Sequence, residues 1–320
     1  MKNLVYLSML AMTLPSCKTE EPRKVAQYSI EQFYANTRFQ GGSFSPDESR
    51  MLIGSDETGI FNLYEINLAD GTKKQLTNST VESYYPIDYV PGMQAILYSA
   101  DKGGNELNHI FLLEDNGKTT DLTPGENEKA SFFKWSEDKK SMFYTSNVRD
   151  PKYFDLYKMT IGTWQTKLVY ENKSGLNVET ISADESTLAI TNVITTSENK
   201  LYLVNIATGK QTELSISDQK GRNEFSDFTR DTKFAFYTTD ADKEFTYLVQ
   251  YDMLGGERKV LFETNWDVMY SFLSEKETYR VIAINEDGKN NIIMQETATG
   301  KKIDFPVIPD GDILGMEISD

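Results

Sequence analysis

Short apolar runs, each bounded by turn-forming residues, recur along this chain from about residue 41 onward. In the first unit, the alternation of apolar and polar positions predicts four strands, over residues 42–45, 50–55, 61–68 and 73–77. Pro46 ends the first strand, and Asp70-Gly71 forms a hairpin turn that needs positive φ. No long segment keeps a 3.6-residue period, so the pattern predicts an all-β chain with few helices.

The same unit repeats with a period of about 45 residues. One position, usually Ser or Thr, marks each repeat: Ser45, Val90, Ser136, Ser182, Thr229, Ser274 and Ser319. A turn containing glycine keeps the same period: Gly71, Gly117, Gly162, Gly209, Gly256 and Gly300. Four strands in a repeat of this length are typical of a propeller blade. The sequence therefore predicts a β-propeller of four-stranded blades, with six full blades and the first strand of a seventh.

The repeat also sets the expected boundaries. Residues 28–320 are assigned to the propeller, with blades beginning near residues 41, 86, 131, 177, 224 and 269 and a partial blade over 313–320. A lone first strand would expose an unpaired edge. Two explanations remain open: the chain is a piece of a longer protein, or its last strand or residues 28–39 close a six-bladed ring.

Residues 1–16 have the features of an export signal. The apolar stretch Leu4–Leu14 is too short to span a membrane, and a small residue and then Cys17 follow it closely. This resembles a bacterial lipoprotein signal, which implies that Cys17 is lipidated and that the polar residues 17–27 form a tether. We then expect an exported lipoprotein in the periplasm or outer membrane, or at the cell surface, with membrane contact through the lipid only. The alternative is an ordinary secretory signal with an accidental Cys.

Charge and rare residues exclude several kinds of site. Lys and Arg number 33 against 49 Asp and Glu, so the formal net charge is -16. A surface this acidic repels phosphate backbones, and we expect no nucleic-acid partner. One Cys and one His exclude a disulfide framework, a Cys-based zinc site and a multi-His metal site. We therefore expect neither a metal site nor a cofactor.

Two segments add a resemblance to a known family. Residues 101–106 (DKGGNE), and residues 145–151 (TSNVRDP) followed by 154–157 (FDLY), are similar to segments of the N-terminal propeller of S9 serine peptidases. That group includes prolyl oligopeptidase, dipeptidyl peptidases and acylaminoacyl peptidases, and the repeat also resembles TolB-type propellers. The resemblance implies a non-catalytic domain that gates a hydrolase domain, admitting small peptides and excluding folded proteins.

The catalytic residues of that family are not found in this chain. A nucleophile elbow needs Gly-x-Ser-x-Gly, and the nearest string, at residues 41–45 (GGSFS), lacks the final glycine. His109 is the only candidate base for a catalytic triad, and it falls inside a predicted strand, where a structural role is expected. No catalytic residue is assigned, and the chain alone is not expected to hydrolyse peptide bonds.

Four loop residues remain as candidate contacts. Asn105 and Glu106 lie in one predicted loop, and Arg149 and Asp150 lie in another. They are candidates to face a peptide substrate, or a C-terminal hydrolase domain if the full protein is longer, although loop charges are often simply solvated. The alternative function comes from the TolB resemblance: a stand-alone lipoprotein propeller that binds protein or peptide partners as a scaffold.

Overall fold

The computed structural model describes residues 25–216 and 219–304, together with Ile313, Met316 and Ile318. The chain divides into two compact units, residues 1–37 and residues 38–320. Cys17 and most of the predicted partial blade lie outside the described residues. Within the described part of the chain, no helix has the length and apolar character that crossing a membrane requires.

In the first unit, Ile30–Tyr34 forms a short helix, α1. The Ser29 hydroxyl accepts a hydrogen bond from the Gln32 N–H at 3.3 Å, and the Gln32 side chain accepts one from the Ser29 N–H at 2.9 Å. This reciprocal capping box satisfies backbone donors at the start of the helix. Residues 28–39 are one of the two segments predicted to close a six-bladed ring. A strand is wrong for residues 30–34 of that segment, because they are helical.

The described residues of the second unit form six antiparallel sheets, and in each sheet four strands are hydrogen-bonded in chain order. Blades 1 to 3 comprise β1 (Phe39–Phe44), β2 (Arg50–Ser55), β3 (Asn62–Asn67), β4 (Lys73–Gln75), β5 (Tyr85–Tyr89), β6 (Ala95–Ala100), β7 (His109–Glu114), β8 (Thr119–Asp121), β9 (Ala130–Trp135), β10 (Ser141–Asp150), β11 (Tyr153–Thr160) and β12 (Thr166–Tyr170). Blades 4 to 6 comprise β13 (Asn177–Ile181), β14 (Thr187–Val193), β15 (Asn199–Asn205), β16 (Gln211–Glu213), β17 (Asn223–Phe228), β18 (Phe234–Thr239), β19 (Tyr247–Asp252), β20 (Arg258–Phe262), β21 (Asp267–Leu273), β22 (Tyr279–Glu286), β23 (Lys289–Glu296) and β24 (Lys302–Ile303).

Apolar clusters join consecutive blades from blade 1 to blade 6. Between blades 2 and 3, Leu97 and Ile110 pack with Met142 and Met159, and each of the four is at most 1% exposed. Similar clusters join blades 1 and 2, 3 and 4, 4 and 5, and 5 and 6. Each sheet therefore packs face to face against its neighbours in sequence, as the blades of a propeller do. The predicted fold class and the six full blades are confirmed.

The innermost strand of each blade differs from the simple alternating pattern. β1 begins at Phe39, earlier than the predicted start at residue 42, because it continues through a bulge between Gln40 and Ser43. Gly41 adopts a φ of +68° in this bulge, where a Cβ would lie 2.6 Å from the Pro86 side chain of blade 2. The first strand of every other blade has a similar register shift. An unpaired extra residue interrupts the period of two, so the sequence pattern alone misassigns which side chains face the axis.

In blades 1, 3, 4 and 5, the recurring Ser or Thr residue anchors the turn after the inner strand. The hydroxyl of the anchor donates a hydrogen bond to an Asp carboxylate two residues later, at 2.5 to 2.8 Å: Ser45 to Asp47, Ser136 to Asp138, Ser182 to Asp184 and Thr229 to Asp231. Hydrogen bonds from Ser45 and Ser49 lower the pKa of Asp47 to about 2. These carboxylates stay charged at neutral pH and hold the turns at one end of the propeller axis.

Candidate binding cavity at the propeller axis

The inner strands of blades 1, 2, 3 and 6 and the turns that follow them surround a cavity of about 760 Å³. Its aromatic wall consists of Phe44, Tyr89, Phe132, Trp135 and Phe272. The rings of Phe132 and Trp135 lie 5.1 Å apart in an edge-to-face arrangement. Ile318 also lines the cavity. An aromatic wall with a few polar groups suits the apolar side chains of a flexible ligand.

Polar side chains connect the inner strands of neighbouring blades. In three blades, the residue two positions before the anchor contacts the residue just before the next blade's anchor. The contacts are Asp88 Oδ2 with Trp135 Nε1 at 2.7 Å, Lys134 Nζ with the Ile181 carbonyl oxygen at 3.2 Å, and Asp227 Oδ2 with the Leu273 N–H at 3.0 Å. Each bond fixes one blade against the next around the axis, so the cavity walls are held in place by more than apolar packing.

Burial shifts the pKa values of these connecting side chains. It raises the pKa of Asp88 and lowers that of Lys134. For Asp227, burial raises the pKa to about 6, although Arg280 and Lys134 favour the charged carboxylate. The Asp227 side chain keeps some contact with solvent, yet protein surrounds it on most sides, as happens in the wall of a narrow channel. The cost of removing this carboxylate from bulk water outweighs the attraction of its two cationic neighbours.

Two ion pairs link the turns that follow the inner strands of non-neighbouring blades, and both residues of the second pair, Lys139 and Glu275, line the axial cavity. Arg230, in the turn of blade 5, lies 2.9 and 3.1 Å from Glu137 Oε2 in the turn of blade 3. Lys139 Nζ of blade 3 lies 2.8 Å from Glu275 Oε1 of blade 6. Neither pair joins neighbouring blades, so the turns converge over the axis. Because all four side chains are well exposed, each pair contributes about 0.2–1 kcal/mol and breaks readily.

The first predicted contact loop lies between β6 and β7 of blade 2, and its two residues shape the loop itself. The Asn105 side chain accepts a hydrogen bond from the Leu107 N–H at 3.0 Å. Glu106 has a φ of +61°, and its N–H donates to Asp101 at 2.8 Å. Neither residue lines the axial cavity.

The prediction of a loop at the second contact segment is wrong, because Arg149 and Asp150 are the last two residues of β10, directly before the turn into β11 in blade 3. The Arg149 guanidinium donates to the fully buried Asp155 at 2.6 and 2.9 Å, and to the Asn172 carbonyl oxygen at 3.0 Å. Asp150 accepts a hydrogen bond from the Lys152 N–H at 3.0 Å. The structure brings neither Arg149 nor Asp150 into the axial cavity.

His109 lies at the start of β7, as the sequence predicts. Its Nδ1 is 2.7 Å from Asp121 Oδ2, and its ring stacks against Phe111 with centroids 6.2 Å apart. These contacts lie within blade 2, between its third and fourth strands. They give His109 the structural role that its position in a strand indicates.

The four residues of the two crossing ion pairs are not among the contacts that the sequence predicts. Glu137, Lys139 and Glu275 each follow an anchor serine within three positions, and Arg230 directly follows an anchor threonine. Charges recurring in the same turn are a signal that all four reach the same end of the axis. Their pairing follows only once the blades are placed in a ring.

The family model of the prolyl oligopeptidase N-terminal β-propeller domain matches residues 34–317. This chain belongs to that family. The match spans all six blades, so the resemblance of the two loop segments to S9 propellers is confirmed. No curated protein sequence matches the chain.

Several solved structures share the fold of this chain, although their sequences have low identity to it. A prolyl endopeptidase aligns with a TM-score of 0.64 and 16% identity, over 88% of this chain and 45% of its own. An oligogalacturonate lyase in complex with manganese aligns at 0.61 and 12% identity, over 82% and 74% of the two chains. An oligogalacturonate lyase from Vibrio parahaemolyticus aligns at 0.57 and 13% identity, over 81% and 75%. The chain thus spans less than half the length of the prolyl endopeptidase that it matches.

Proposed function

We propose that this chain is the non-catalytic, substrate-gating propeller of an S9-type serine peptidase, held outside the cytoplasm by a lipid on Cys17. The observation that carries the proposal is the axial cavity, which the Lys139–Glu275 ion pair lines, together with the Glu137–Arg230 pair between turns of the same kind in blades 3 and 5. Family membership supports the link to serine peptidases. The greater length of the prolyl endopeptidase supports a hydrolase domain outside these residues.

The strength of the two ion pairs suits a gate. Exposed pairs contribute up to about 1 kcal/mol each, so thermal motion opens them often. A flexible peptide passes through a transiently opened mouth, whereas a folded protein is too wide for the space between the turns. Once inside, the apolar side chains of the peptide contact the aromatic wall formed by Phe44, Tyr89, Phe132, Trp135 and Phe272.

Reversing one charge of the gate is expected to speed the entry of peptides. Glu137→Arg places two guanidinium groups where an ion pair stood, so the turns of blades 3 and 5 repel each other. Because an exposed pair contributes about 0.2–1 kcal/mol, we expect the association rate of a proline-containing pentapeptide to rise about 1.5- to 5-fold. Stopped-flow tryptophan fluorescence measures this rate, since Trp135 lines the cavity.

The charge-swapped double variant is the matched control. Glu137→Arg combined with Arg230→Glu restores an ion pair of opposite direction, and the association rate should return toward that of the unmodified protein. A pentapeptide that binds at one rate to all three proteins contradicts gating at this mouth and favours the alternative, a TolB-like scaffold that binds partners on its outer surface.

The lipid anchor is a separate part of the proposal, and its support is the sequence of residues 1–17. Cells that produce the protein and are fed an alkyne-tagged fatty acid should yield a labelled protein, and Cys17→Ser should abolish the label. The same variant should move from the membrane fraction to the soluble fraction, because the acyl chains supply the membrane affinity. Acyl labelling that persists in Cys17→Ser contradicts lipidation at this residue.

A further inference from the structure

A second cavity, of about 390 Å³, lies between the facing sheets of blades 1 and 2. We call it the blade 1–2 pocket. Four apolar side chains line it, Leu76, Met93, Ile96 and Leu113, and three of them belong to the cluster that joins these two blades. A cavity of this volume with an apolar lining is large enough for a small organic molecule.

Glu65, in β3, is a buried carboxylate that lines this pocket. The residue is 8% exposed, and its Oε1 accepts hydrogen bonds from Arg50 Nη1 at 3.0 Å and from the Tyr89 hydroxyl at 2.9 Å. Its Oε2 accepts no hydrogen bond from the described residues, and it is not among the polar atoms that the protein encloses completely. This oxygen therefore faces the open space of the pocket, where a cationic donor would pair with it strongly.

Two cations of the same pocket have donors that no described residue uses. Arg50 gives Nη1 to Glu65, while its Nε and Nη2 donate to no described residue. Lys74 lies directly across from Glu65 in the pairing of β3 with β4, and it makes no ion pair with a described carboxylate. Guanidinium and ammonium groups bind carboxylates through charge-assisted hydrogen bonds. The pocket thus offers a position for a carboxylate beside the open oxygen of Glu65.

The blade 2 side of the pocket carries the opposite charge. Glu114 and Asp115 line it, whereas no described lysine or arginine of blade 2 does. Glu114 pairs with Lys118 at 3.2 Å, and the Asp115 carboxylate accepts no hydrogen bond from a described residue. Asp47, on the blade 1 side, is held by the Ser45 hydroxyl in its own turn. A ligand with a positive and a negative end therefore matches the pocket better than a simple anion or cation does.

We infer that the blade 1–2 pocket binds an apolar dipeptide whose two ends are free. The α-ammonium group pairs with Glu65 Oε2, the α-carboxylate pairs with Arg50 and Lys74, and the side chains contact the apolar lining. A free amino acid carries the same two charged ends but fills less of the cavity. The inference stands without the proposed gate, because it concerns a cavity that shares only Pro46 and Tyr89 with the axial cavity.

Four probes test the inference by calorimetric titration of the full chain: Leu-Leu, acetyl-Leu-Leu, Leu-Leu-amide and leucine. We expect the Kd of Leu-Leu to be about five- to tenfold lower than that of either blocked dipeptide, because each block removes one charged end. Leucine should bind at least about tenfold more weakly than Leu-Leu, because it buries one apolar side chain fewer. Equal binding of Leu-Leu and both blocked dipeptides overturns recognition of the ends, and equal binding of leucine and Leu-Leu overturns the dipeptide assignment. Absence of Leu-Leu binding overturns the whole inference.

Two pocket variants assign one end each. Glu65→Gln should bring Leu-Leu and acetyl-Leu-Leu to within about twofold of each other while the preference over Leu-Leu-amide remains. Arg50→Gln should have the reverse effect, removing the preference for the free carboxylate and keeping the preference for the free amine. Preferences that both persist in these variants place the dipeptide elsewhere and overturn the assignment to this pocket.

A third variant and its control avoid any disturbance of the buried Arg50–Glu65 pair. Lys74 is exposed, so Lys74→Met keeps the fold, and it should weaken the preference for the free carboxylate about two- to fourfold. Lys259→Met is the matched control, since Lys259 is exposed at the corresponding position in the outermost strand of blade 5. The control should leave both preferences unchanged. An equal loss of carboxylate preference in the two lysine variants contradicts a local role for Lys74 and overturns the assignment.

Discussion

Replacing Leu97 by alanine is expected to lower the free energy of unfolding by about 2–5 kcal/mol, because it removes buried methyl groups and leaves a cavity between two blades. Leu97 is fully buried in the cluster that joins blades 2 and 3, beside Ile110 and Met142. Several backbone segments meet there, so the surrounding chain has little freedom to collapse into the space. Urea unfolding followed by circular dichroism measures the change.

The matched control is the same substitution at an exposed leucine. Leu254 is 99% exposed in the turn between β19 and β20, and Leu254→Ala should change the free energy of unfolding by less than about 0.5 kcal/mol. The blade 2–3 cluster also supports the Trp135–Asp88 hydrogen bond at the axial cavity. If Leu97→Ala is as stable as Leu254→Ala, packing between blades does not hold this propeller together.

Replacing Asp227 by asparagine is expected to make the protein more stable at neutral pH than it is with the carboxylate. Burial raises the Asp227 pKa from 3.8 to about 6 in the folded protein. Between about pH 4 and pH 6 the folded state therefore holds a proton that the unfolded state has released, so the free energy of unfolding falls as the pH rises through this window. Asparagine does not titrate, and its Oδ1 still accepts the hydrogen bond from the Leu273 N–H.

The difference in unfolding free energy between Asp227→Asn and the unmodified protein should therefore grow from pH 4 to pH 7. The raised pKa of Asp227 corresponds to a difference in unfolding free energy of about 1–3 kcal/mol. The lower part of this range applies because water in the channel screens the carboxylate. Urea unfolding at constant ionic strength and five pH values between 4 and 8 measures it. A difference that does not change over this range contradicts the raised pKa.

Asp231 provides a control of opposite sign, four residues further along the same blade. Hydrogen bonds from Lys233 and Thr229 lower its pKa to about 2. Its contribution to stability is present at neutral pH and is lost as the pH falls through that value. Asp231→Asn should therefore be less stable than the unmodified protein above about pH 4, and Asp227→Asn more stable.

The strands and turns of each blade follow from local sequence patterns, whereas the contacts of the candidate site residues do not. The anchor Ser136 and the turn carboxylate Asp138 interact within one turn, so their roles follow from local spacing. Arg149 looks like a free loop charge in the sequence, yet it is held by Asp155, which the β10–β11 hairpin folds back onto it. Charged loop residues that face solvent and those that support a hairpin share the same local pattern, so sequence alone does not separate them.

The sequence by itself determines the all-β class, the four strands of each blade, the six repeats and the turns between inner strands. These features depend on residues a few positions apart, because each blade is one local unit that contacts mainly its neighbours. Only the tertiary structure decides which side chains meet at the axis. Arg230 and Glu137 are 93 residues apart, and Lys139 and Glu275 lie in blades 3 and 6. Their proximity arises from the arrangement of the blades around the axis and from the inner-strand bulges, neither of which leaves a local signal in the chain.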